Sequence, residues 1–473
     1  MLAIDQGTSS TKALVVSGDG SVLGAAEAPV HPQGTPDGGM EQDPAELLAS
    51  VVHAGRRAIE QARTTIGAIG LANQGETVLA WEPATGEPLS TALSWQDRRS
   101  ADICLSLAAH EERLVAVTGL RLDPYFAGPK MLWLRENMTR AGVVTTTDTW
   151  LLNRLTGAYV TDVTTASRTL LLNLDRRQWS PEACAIFREP ADERPEVLAC
   201  TATAGTTTAF GGGSVPVTGL AVDQQAALFG QGCRRPGATK CTYGTGAFVL
   251  ANAGPRPRRS RHGLTSSVAW DDRGEIAYCL DGQVYTVGSM FQWLVDVGLV
   301  NDAEDIDRLG GSVPDSGGVT CTPALAGLGA PHWLPSARGA IEGLSLATTG
   351  AQLVRAALEG IAAQITQLTR AAAVDLGTPL ESLQVDGGLT RSRLLMQIQA
   401  DLLQIPVEVF DTPHATALGI AELARRGSGD DTSTSRCGGL RYEPMIAADQ
   451  AAAQLERAEA AIMRAAEAAG AAP

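Results

Sequence analysis

MLAIDQGTSSTKALVV, residues 1–16, contains an apolar segment, a turn of small polar residues and a second apolar segment. This alternation predicts two antiparallel strands, and the segment after the next "GDG" turn predicts a third strand of the same meander. A helix is predicted to follow, with Asp43 as the N-cap, Pro44 as its first residue and Glu46 completing a capping box. The apolar stretch IGAIGLANQ (66–74) then predicts another strand, so this part of the chain is predicted to be a mixed α/β unit.

The same plan recurs in the second half of the chain. ATKCTYGTGAFVLANAG (238–254) again predicts strand, Gly-Thr-Gly turn and strand, and residues 348–377 have the apolar spacing of a long helix. LESLQVDGG (380–388) predicts a strand that runs into a glycine turn. The two halves therefore resemble distant copies of one αβ unit, and we divide the chain into residues 1–220 and 221–473. The alanine-rich end from residue 447 is predicted to be an amphipathic helix.

The composition indicates which classes of partner and which cellular compartment suit this chain. A net charge of −15 over 473 residues argues against binding nucleic acid or an anionic membrane. The eight cysteines form no C-x-x-C pair, which is typical of free thiols in a reducing cytoplasm. The six histidines lack metal-binding spacing, and the N-terminus lacks the features of a secretory signal. We expect a cytoplasmic protein that acts on a small molecule.

The first polar turn has the chemistry of a phosphate site. In DQGTSSTK (5–12), the amides and hydroxyls of Thr8, Ser9 and Ser10 can surround a phosphate. Asp5 can hold a hydrated Mg²⁺ beside it, and Lys12 adds a positive charge. The alternative interpretation is a polar β-turn without a ligand.

Two further glycine turns, YGTG (243–246) and VDGG (385–388), follow predicted strands, and neither is a Walker A or dinucleotide motif.

The segment GLAVDQQAALFGQG (219–232) lies after the first polar turn and before YGTG in the sequence. It predicts a strand that ends at Asp223 and continues as a helix. A carboxylate at this junction can accept a proton from a substrate hydroxyl. The structural alternative is that Asp223 caps the helix.

Short segments spread over nearly the whole chain resemble, in order, the FGGY family of carbohydrate kinases, and within it the glycerol kinases. They include DQGTSSTKALVV, SWQDRRS, DPYFAGPKMLWL, VDQQAALFGQG, KCTYGTGAFVLANAG, GLGAPHW, ARGAIEGL and VDGGLTRSRLL. The resemblance implies an α/β fold of two ribonuclease H-like (actin-like ATPase) domains, with MgATP and the acceptor bound in a central cleft. It implies an ATP-dependent kinase that phosphorylates a primary hydroxyl of a small polyol or sugar.

Site residues follow from the resemblance position by position. Asp5 is implied as the metal residue and Asp223 as the catalytic base. The implied acceptor residues are Glu76, Trp95, Tyr125, Asp223 and Gln224. The implied nucleotide and phosphate residues are Thr8, Ser9, Ser10, Lys12, Thr245, Gly246, Gly288, Gln292, Gly388 and Ser392, of which Lys12 and Ser392 differ from the usual glycerol kinase residues.

One position departs from the glycerol kinase pattern. Gly75 stands in Gln74-Gly75-Glu76 where glycerol kinases have an arginine that donates hydrogen bonds to glycerol. Losing one charged hydrogen bond costs about 1.5–3 kcal/mol, and the missing side chain is expected to leave a volume open. The sequence therefore favours a linear polyol longer than glycerol. The alternative is that another residue replaces the arginine and the acceptor is glycerol.

A different class of function is a non-catalytic actin-like nucleotide-binding regulator or chaperone ATPase. Such a protein would have no use for the acceptor residues Trp95, Tyr125, Glu76 and Asp223, so we favour the kinase. Arg98 and Arg99 are interpreted as structural residues that pair with nearby carboxylates such as Asp97. We expect a polyol or sugar partner, no nucleic acid and no membrane. A homodimer is the assembly we consider, although the sequence leaves the oligomeric state open.

Overall fold

A computed structural model describes residues 1–432 and 439–470. The strands up to residue 222 are β1 Leu2–Gln6, β2 Ser10–Val16, β3 Val22–Pro29, β4 Gln33–Gly34, β5 Met40–Gln42, β6 Ile69–Asn73, β7 Val78–Trp81, β8 Ala92–Leu93, β9 Val143–Thr146, β10 Val160–Asp162, β11 Leu172–Asn173, β12 Gln178–Trp179, β13 Glu196–Leu198, β14 Gly205–Thr207 and β15 Val215–Val222. The later strands are β16 Thr239–Tyr243, β17 Ala247–Gly254, β18 Thr265–Asp272, β19 Glu275–Val284, β20 Thr320–Thr322, β21 Ala340–Glu342, β22 Leu383–Asp386, β23 Val407–Val409 and β24 Arg441–Tyr442.

The α-helices are α1 Pro44–Ala62, α2 Ala101–Ser106, α3 Glu111–Thr118, α4 Ala127–Asn137, α5 Thr147–Thr156, α6 Val163–Ala166, α7 Pro181–Ile186, α8 Asp223–Gly230, α9 Gly288–Asp296, α10 Asp305–Gly310, α11 Gly350–Leu376, α12 Arg393–Leu403, α13 Ala415–Gly427 and α14 Ala448–Ala468. The predicted long helix is α11, and the predicted C-terminal helix is α14. Within the described part of the chain, no helix combines the length and apolarity needed to cross a bilayer.

Two large sheets repeat one strand arrangement. The first has the order β14-β15-β6-β1-β2-β3, and the second, written in the matching direction, is β24-β23-β22-β16-β17-β19-β18. In the first sheet, the antiparallel meander β1-β2-β3 pairs in parallel with β6, which pairs in parallel with β15, and β14 is an antiparallel edge strand. In the second sheet, the four antiparallel strands β16, β17, β19 and β18 pair in parallel with β22, which pairs in parallel with β23, and β24 is the antiparallel edge strand. The predicted duplication is therefore confirmed, with β1 corresponding to β16 and β6 to β22.

Helix α1 illustrates how local sequence signals build the first unit. Asp43 accepts a hydrogen bond from Ala45 N at 2.9 Å, and Pro44 opens the helix, as predicted. The inward residues of α1 recur at helical spacing and pack into the core that also contains strand residues of β1. The predicted capping box is wrong, because the Glu46 carboxylate instead accepts a hydrogen bond from His31 N at 3.0 Å and contacts the His31 ring.

Helix α13 connects the two halves. It lies in the second half of the sequence but packs on β15, β1 and β6 of the first sheet, and on α8. The approach is close, since a Cβ at Gly70 in β6 would lie 2.5 Å from the Ile420 carbonyl oxygen. Thr218 also donates a hydrogen bond to the Ala424 carbonyl at 2.7 Å. The division at residue 220 remains a prediction; β15 continues two residues beyond it, to Val222.

The seven cysteines within the described residues are free and buried, as predicted for them; Cys437 lies outside those residues. A five-stranded sheet with the order β4-β5-β8-β7-β9 lies within the first half of the chain, and this half carries the segments around Glu76, Trp95 and Tyr125. These segments reach the functional site described next.

Candidate active site

A cavity of about 130 Å³ lies between residues of the two halves. Its lining residues come from eight stretches of the sequence. They are Thr8, Gln74, Glu76, Trp95, Tyr125, Arg168, Val222, Asp223, Gln224, Gln225, Thr245, Gly246, Phe248, Leu250 and Asp281. The turn after β1 and the turn after β16 both reach this cavity, through Thr8 and through Thr245 and Gly246.

Of the six predicted acceptor residues, Gly75 is not among the lining residues. The other five line the cavity and are Glu76, Trp95, Tyr125, Asp223 and Gln224. The Trp95 ring contacts Tyr125 edge to face with centroids 5.8 Å apart, and contacts Phe248 in the same way at 5.9 Å. Its indole Nε1 donates a hydrogen bond to Thr8 Oγ1 at 2.8 Å. The aromatic wall is therefore connected directly to the first polar turn.

Asp223 is the first residue of α8, directly after β15. Val222 occupies the N-cap position, and the Asp223 carboxylate accepts a hydrogen bond from the adjacent Gln224 N at 2.6 Å. The structural alternative, in which Asp223 caps the helix, is therefore wrong. Burial, reinforced by the negative charges of Asp5 and Glu76, raises the pKa of Asp223 to about 7. A carboxyl group with this pKa can exchange a proton at neutral pH.

The carboxyl group of Asp5 lies at the end of β1, beside the first turn. Burial raises the pKa of Asp5 to about 6; Lys12 opposes this shift, and Asp386 adds to it. Asp386 ends β22, and burial also raises its pKa. Burial is the main cause of the raised pKa values of Asp5, Asp223 and Asp386, and neighbouring carboxylates add to it only at Asp5 and Asp223. Among the described residues, no group of three or more metal-binding side chains forms a complete metal cage.

The remaining predicted nucleotide residues lie outside the cavity lining. Gly288 lies against the second turn, where its N donates a hydrogen bond to the Gly244 carbonyl at 3.1 Å. Gly388 begins a single 3₁₀ turn after β22. The Gln292 side chain is exposed and donates to Asp296 at 2.8 Å. Ser392 caps α12 through Leu395 N and donates its hydroxyl to Asp307. Ser9, Ser10 and Lys12 lie in the first turn and at the start of β2.

Gly75 has a left-handed backbone conformation, with φ of +81°. A Cβ at this position would lie 3.2 Å from Cγ1 of Val222, which itself lines the cavity. The space directly beside Gly75 is therefore not open as expected, because Val222 lies against the position that a Cβ would take. The size of the cavity is set by side chains from other segments.

Arg168 is a cavity residue that sequence reasoning missed. It follows α6, its side chain is 4% exposed, and its Nε lies 2.7 Å from Glu76 Oε1. Its guanidinium lies over the rings of Tyr125 and Phe126, at 5.6 and 5.1 Å from their centroids. A positive charge thus reaches the acceptor carboxylate from a segment 92 residues away along the chain.

Two buried lysines were also missed. Lys240 Nζ lies 2.5 Å from Gln224 Oε1 and 2.8 Å from Thr242 Oγ1. Lys130 Nζ donates to the carbonyls of Pro124, Tyr125 and Phe126 at 2.9, 2.5 and 2.8 Å.

A compositional signal was available for these positions. The chain has 37 lysine and arginine residues, and only Lys12, Lys130 and Lys240 are lysines. None lines the cavity, but Lys240 contacts the lining residue Gln224, Lys130 contacts the carbonyl of the lining residue Tyr125, and Lys12 pairs with Asp5 in the β1–β2 register. In a chain that otherwise uses arginine for its cations, a retained lysine indicates a position where a compact ammonium is needed.

The interpretation of Arg98 and Arg99 as structural residues is confirmed. Arg99 binds Asp97 at 2.6 Å and Glu41 at 2.8 Å, and its guanidinium lies over the Trp133 ring. Arg98 binds Asp123 at 3.0 Å. Neither arginine lines the cavity within the described residues.

Two models of one protein family, and several glycerol kinases, match this chain. The profile described as "FGGY family of carbohydrate kinases, N-terminal domain" matches residues 1–230, and the corresponding C-terminal domain profile matches residues 239–427. Glycerol kinase of Alkalilimnicola ehrlichii is 44% identical over 91% of this chain and 90% of its own length. Glycerol kinase of Aromatoleum aromaticum is 42% identical over 98% of both chains.

A solved structure is similar over the whole chain. The crystal structure of Plasmodium falciparum glycerol kinase with ADP has a TM-score of 0.91 and 30% identity, covering 98% of this chain and 97% of that one. The predicted architecture of two ribonuclease H-like domains is confirmed by this similarity.

Proposed function

This chain belongs to the FGGY family of carbohydrate kinases, and we propose that it transfers the γ-phosphoryl group of ATP to a primary hydroxyl of glycerol. The family membership makes the protein a phosphotransferase with an alcohol group as acceptor and ATP as donor. The choice of glycerol as the acceptor is more specific than family membership and is therefore the part that we propose. It is supported by the relatives described above, which are glycerol kinases, and by the cavity.

The observation that carries the proposal is the small volume of the proposed acceptor cavity, about 130 Å³. A cavity of about 150 Å³ in another protein holds benzene, which has as many non-hydrogen atoms as glycerol. Val222 fills the space beside Gly75, and Arg168 supplies a guanidinium at Glu76. Together these features support the alternative in which another residue takes over from the missing arginine. They weaken the interpretation that favoured a longer polyol.

The acceptor residues have roles that follow from their chemistry. Asp223, with a pKa raised to about 7, is the proposed general base that takes the proton of the attacking hydroxyl. Glu76 and Gln224 offer oxygen atoms to the other hydroxyls, and Tyr125 offers its phenol. Trp95 and Phe248 present apolar ring faces and edges to the carbon chain. Orientation of the hydroxyl toward the phosphoryl group is the main catalytic contribution of these residues.

The polar turns are proposed to bind the phosphates. Thr8 from the first turn and Thr245 with Gly246 from the second line the same cavity and can donate hydrogen bonds to phosphate oxygens. Lys12 adds positive charge at the start of β2. Gly288 lies against the second turn, and Gly388 lies in the turn after β22, both beside the proposed nucleotide site. Only the family resemblance supports the remaining proposed nucleotide-binding residues, which are Ser9, Ser10, Gln292 and Ser392.

Mg²⁺ fits the residues at this site. Asp5 is the proposed carboxylate ligand, because its buried carboxyl group lies beside the first polar turn and near Asp386. Mg²⁺ is usually bound by one or two carboxylates, phosphate oxygens and waters, so one carboxylate beside a phosphate turn fits it. When bound, Mg²⁺ neutralises charge that develops on the transferring phosphoryl group.

The assignment of a separate function to each half of the chain is also a proposal. Residues 1–220 would carry the acceptor segments and the first phosphate turn, and residues 221–473 would bind the nucleotide. A non-catalytic actin-like regulator is disfavoured by the convergence of Glu76, Trp95, Tyr125 and Asp223 on one cavity.

The test of the function is a coupled assay of ADP release against glycerol, tetritols, pentitols and ketopentoses. We expect the highest kcat/KM for glycerol, because longer acceptors exceed the cavity. Product analysis should find phosphate on a primary carbon. A higher kcat/KM for a pentitol would overturn the choice of acceptor, and ATP hydrolysis unaffected by every acceptor would overturn the kinase proposal itself.

A further inference from the structure

Arg168 bridges two carboxylates that belong to different halves of the molecule. Its Nε lies 2.7 Å from Oε1 of Glu76, which follows β6, and its NH1 lies 2.7 Å from Oδ2 of Asp281 in β19. All three side chains are at least nine-tenths buried. A guanidinium fork between two carboxylates fixes both their distance and their orientation.

The second carboxylate, Asp281, lies in β19, which pairs with the strand that follows the turn YGTG (243–246). Asp281 pairs with Leu250 in the β17–β19 register, and β17 begins directly after that turn. The contact between β19 and the turn is close, since a Cβ at Gly246 would lie 2.6 Å from the Val284 carbonyl oxygen. A movement of β19 would therefore be transmitted to Thr245 and Gly246.

Buried ion pairs of this kind contribute little net stability, because removing both charges from water offsets their attraction. Their specific effect is to favour the one arrangement in which each charge has its partner. Separation of the halves would leave Arg168 or Asp281 without its partner, and this penalty favours the closed arrangement. The acceptor carboxylate Glu76 is part of the same ion-pair chain, so hydroxyls bound to Glu76 contact the chain directly.

We propose that Arg168 is a positioning residue that couples acceptor binding to closure of the cleft, through the chain Glu76–Arg168–Asp281. The inference rests on the proposed function, because it assigns Glu76 to the acceptor. The coupling limits the reaction of ATP with water, since the closed arrangement is completed when the acceptor occupies the cavity. Loss of the coupling would release ADP and inorganic phosphate in excess of phosphorylated acceptor.

Three variants test the proposal. Asp281→Asn removes the charge on the second half but keeps an oxygen for the hydrogen bond from Thr265. Arg168→Lys keeps the charge but loses the fork. Arg194→Lys is the matched control, because the Arg194 side chain is 1% exposed and binds Glu189 and the Val144 carbonyl away from the cavity.

The measurements are kcat, the KM for acceptor and for ATP, and the ratio of ADP to phosphorylated product. For Asp281→Asn and Arg168→Lys we expect an acceptor KM raised about tenfold or more, from a lost charged hydrogen bond, with the KM for ATP changed less. We also expect a ratio of ADP to product above one. For Arg194→Lys we expect wild-type kinetics, whatever its effect on thermal stability.

Small-angle scattering gives a readout that is independent of turnover. With acceptor and a non-hydrolysable ATP analogue, the wild-type radius of gyration should decrease, and that of Asp281→Asn should decrease less. An unchanged acceptor KM and a ratio of one in Asp281→Asn would overturn the coupling, as would equal kinetic effects in the Arg194→Lys control. If the wild type prefers another polyol, the proposed acceptor is wrong, and the same variants are measured with that polyol.

Discussion

The ammonium of Lys240 lies 2.5 Å from the side-chain oxygen of Gln224, the residue that follows the proposed base Asp223. Lys240 is fully buried, and its second partner, Thr242, donates its hydroxyl to Asp386 at 2.6 Å. One lysine thus links the acceptor side of the cavity to the strand that precedes the VDGG turn. Its charge lies among carboxylates that would otherwise repel one another.

The first prediction concerns this lysine. Lys240→Met should lower kcat/KM for the acceptor about tenfold or more, because Gln224 loses a charged hydrogen bond. Steady-state kinetics measure the loss. Lys240→Arg keeps the charge but loses the compact ammonium, so it should also lower kcat/KM, though less than Lys240→Met does. Equal activity of Lys240→Met and wild type would contradict the role.

The second prediction is the pH dependence of the reaction. Because burial and neighbouring carboxylates raise the pKa of Asp223 to about 7, the base is protonated and inactive below that pH. We expect kcat/KM to rise with pH and to level off above about 7, with a slope near tenfold per pH unit on the acid side. Asp223→Asn should abolish phosphorylation while ATP still binds, as isothermal titration can measure. A flat profile from pH 5.5 to 8 would argue against Asp223 as the base.

The third prediction concerns Gly75. Gly75→Ala places a side chain at a φ of +81° and against Val222, so it should lower the melting temperature and raise the acceptor KM severalfold. Gly75→Arg should not improve glycerol binding, for the same reasons. Gly274→Ala is the control, since Gly274 has a φ of +91° and nothing within 4 Å of its Cβ position. A gain in glycerol affinity in Gly75→Arg would restore the interpretation of an open pocket.

The fourth prediction concerns the support of Tyr125. Lys130 is fully buried and donates to three consecutive carbonyls that include the Tyr125 carbonyl. Lys130→Met leaves these carbonyls unpaired and should raise the acceptor KM as well as lower the melting temperature.

Arg135 offers the control for Lys130. It lies on the same helix, α4, and donates to the carbonyls of Arg140, Ala141 and Gly142, away from the cavity. Arg135→Met should lower the melting temperature and leave the acceptor KM unchanged. If both variants affect the acceptor KM equally, Lys130 has no specific link to Tyr125.

The fifth prediction concerns stability at a buried carboxyl away from the cavity. Burial and the charge of Asp162 raise the pKa of Asp148 to about 7, and its Oδ1 has no hydrogen-bond partner in the described structure. The unfolded value is about 3.9, so the contribution of Asp148 to stability is complete at low pH and is lost as the pH rises to about 7. Asp148→Asn should therefore raise the melting temperature at pH 8 but not at pH 4.

Scanning calorimetry at the two pH values checks this expectation. Glu60→Gln, on an exposed position of α1, is the control and should show no pH-dependent gain. A destabilisation by Asp148→Asn at pH 8 would indicate that the carboxylate is charged and satisfied there.

Local patterns in the sequence determined the duplicated αβ unit, the two polar turns and the junction at Asp223. Strand alternation, helix spacing and turn glycines act over a few residues, so these features can be predicted without knowing the fold. Resemblance added the family and the acceptor residues that line the cavity. The identity of the acceptor stays a proposal, because Gly75 alone favoured a longer polyol whereas the similar proteins are glycerol kinases.

Only the tertiary structure decided what closes that pocket. Arg168 contacts Glu76 and Asp281, which lie 92 and 113 residues away along the chain. Lys240 in β16 contacts Gln224 in the preceding helix, α8. No local pattern encodes such pairs, because which side chains meet depends on how distant strands pack. Val222 fills the space beside Gly75 because β15 lies next to β6 in the first sheet, and that neighbour relationship exists only once the chain has folded.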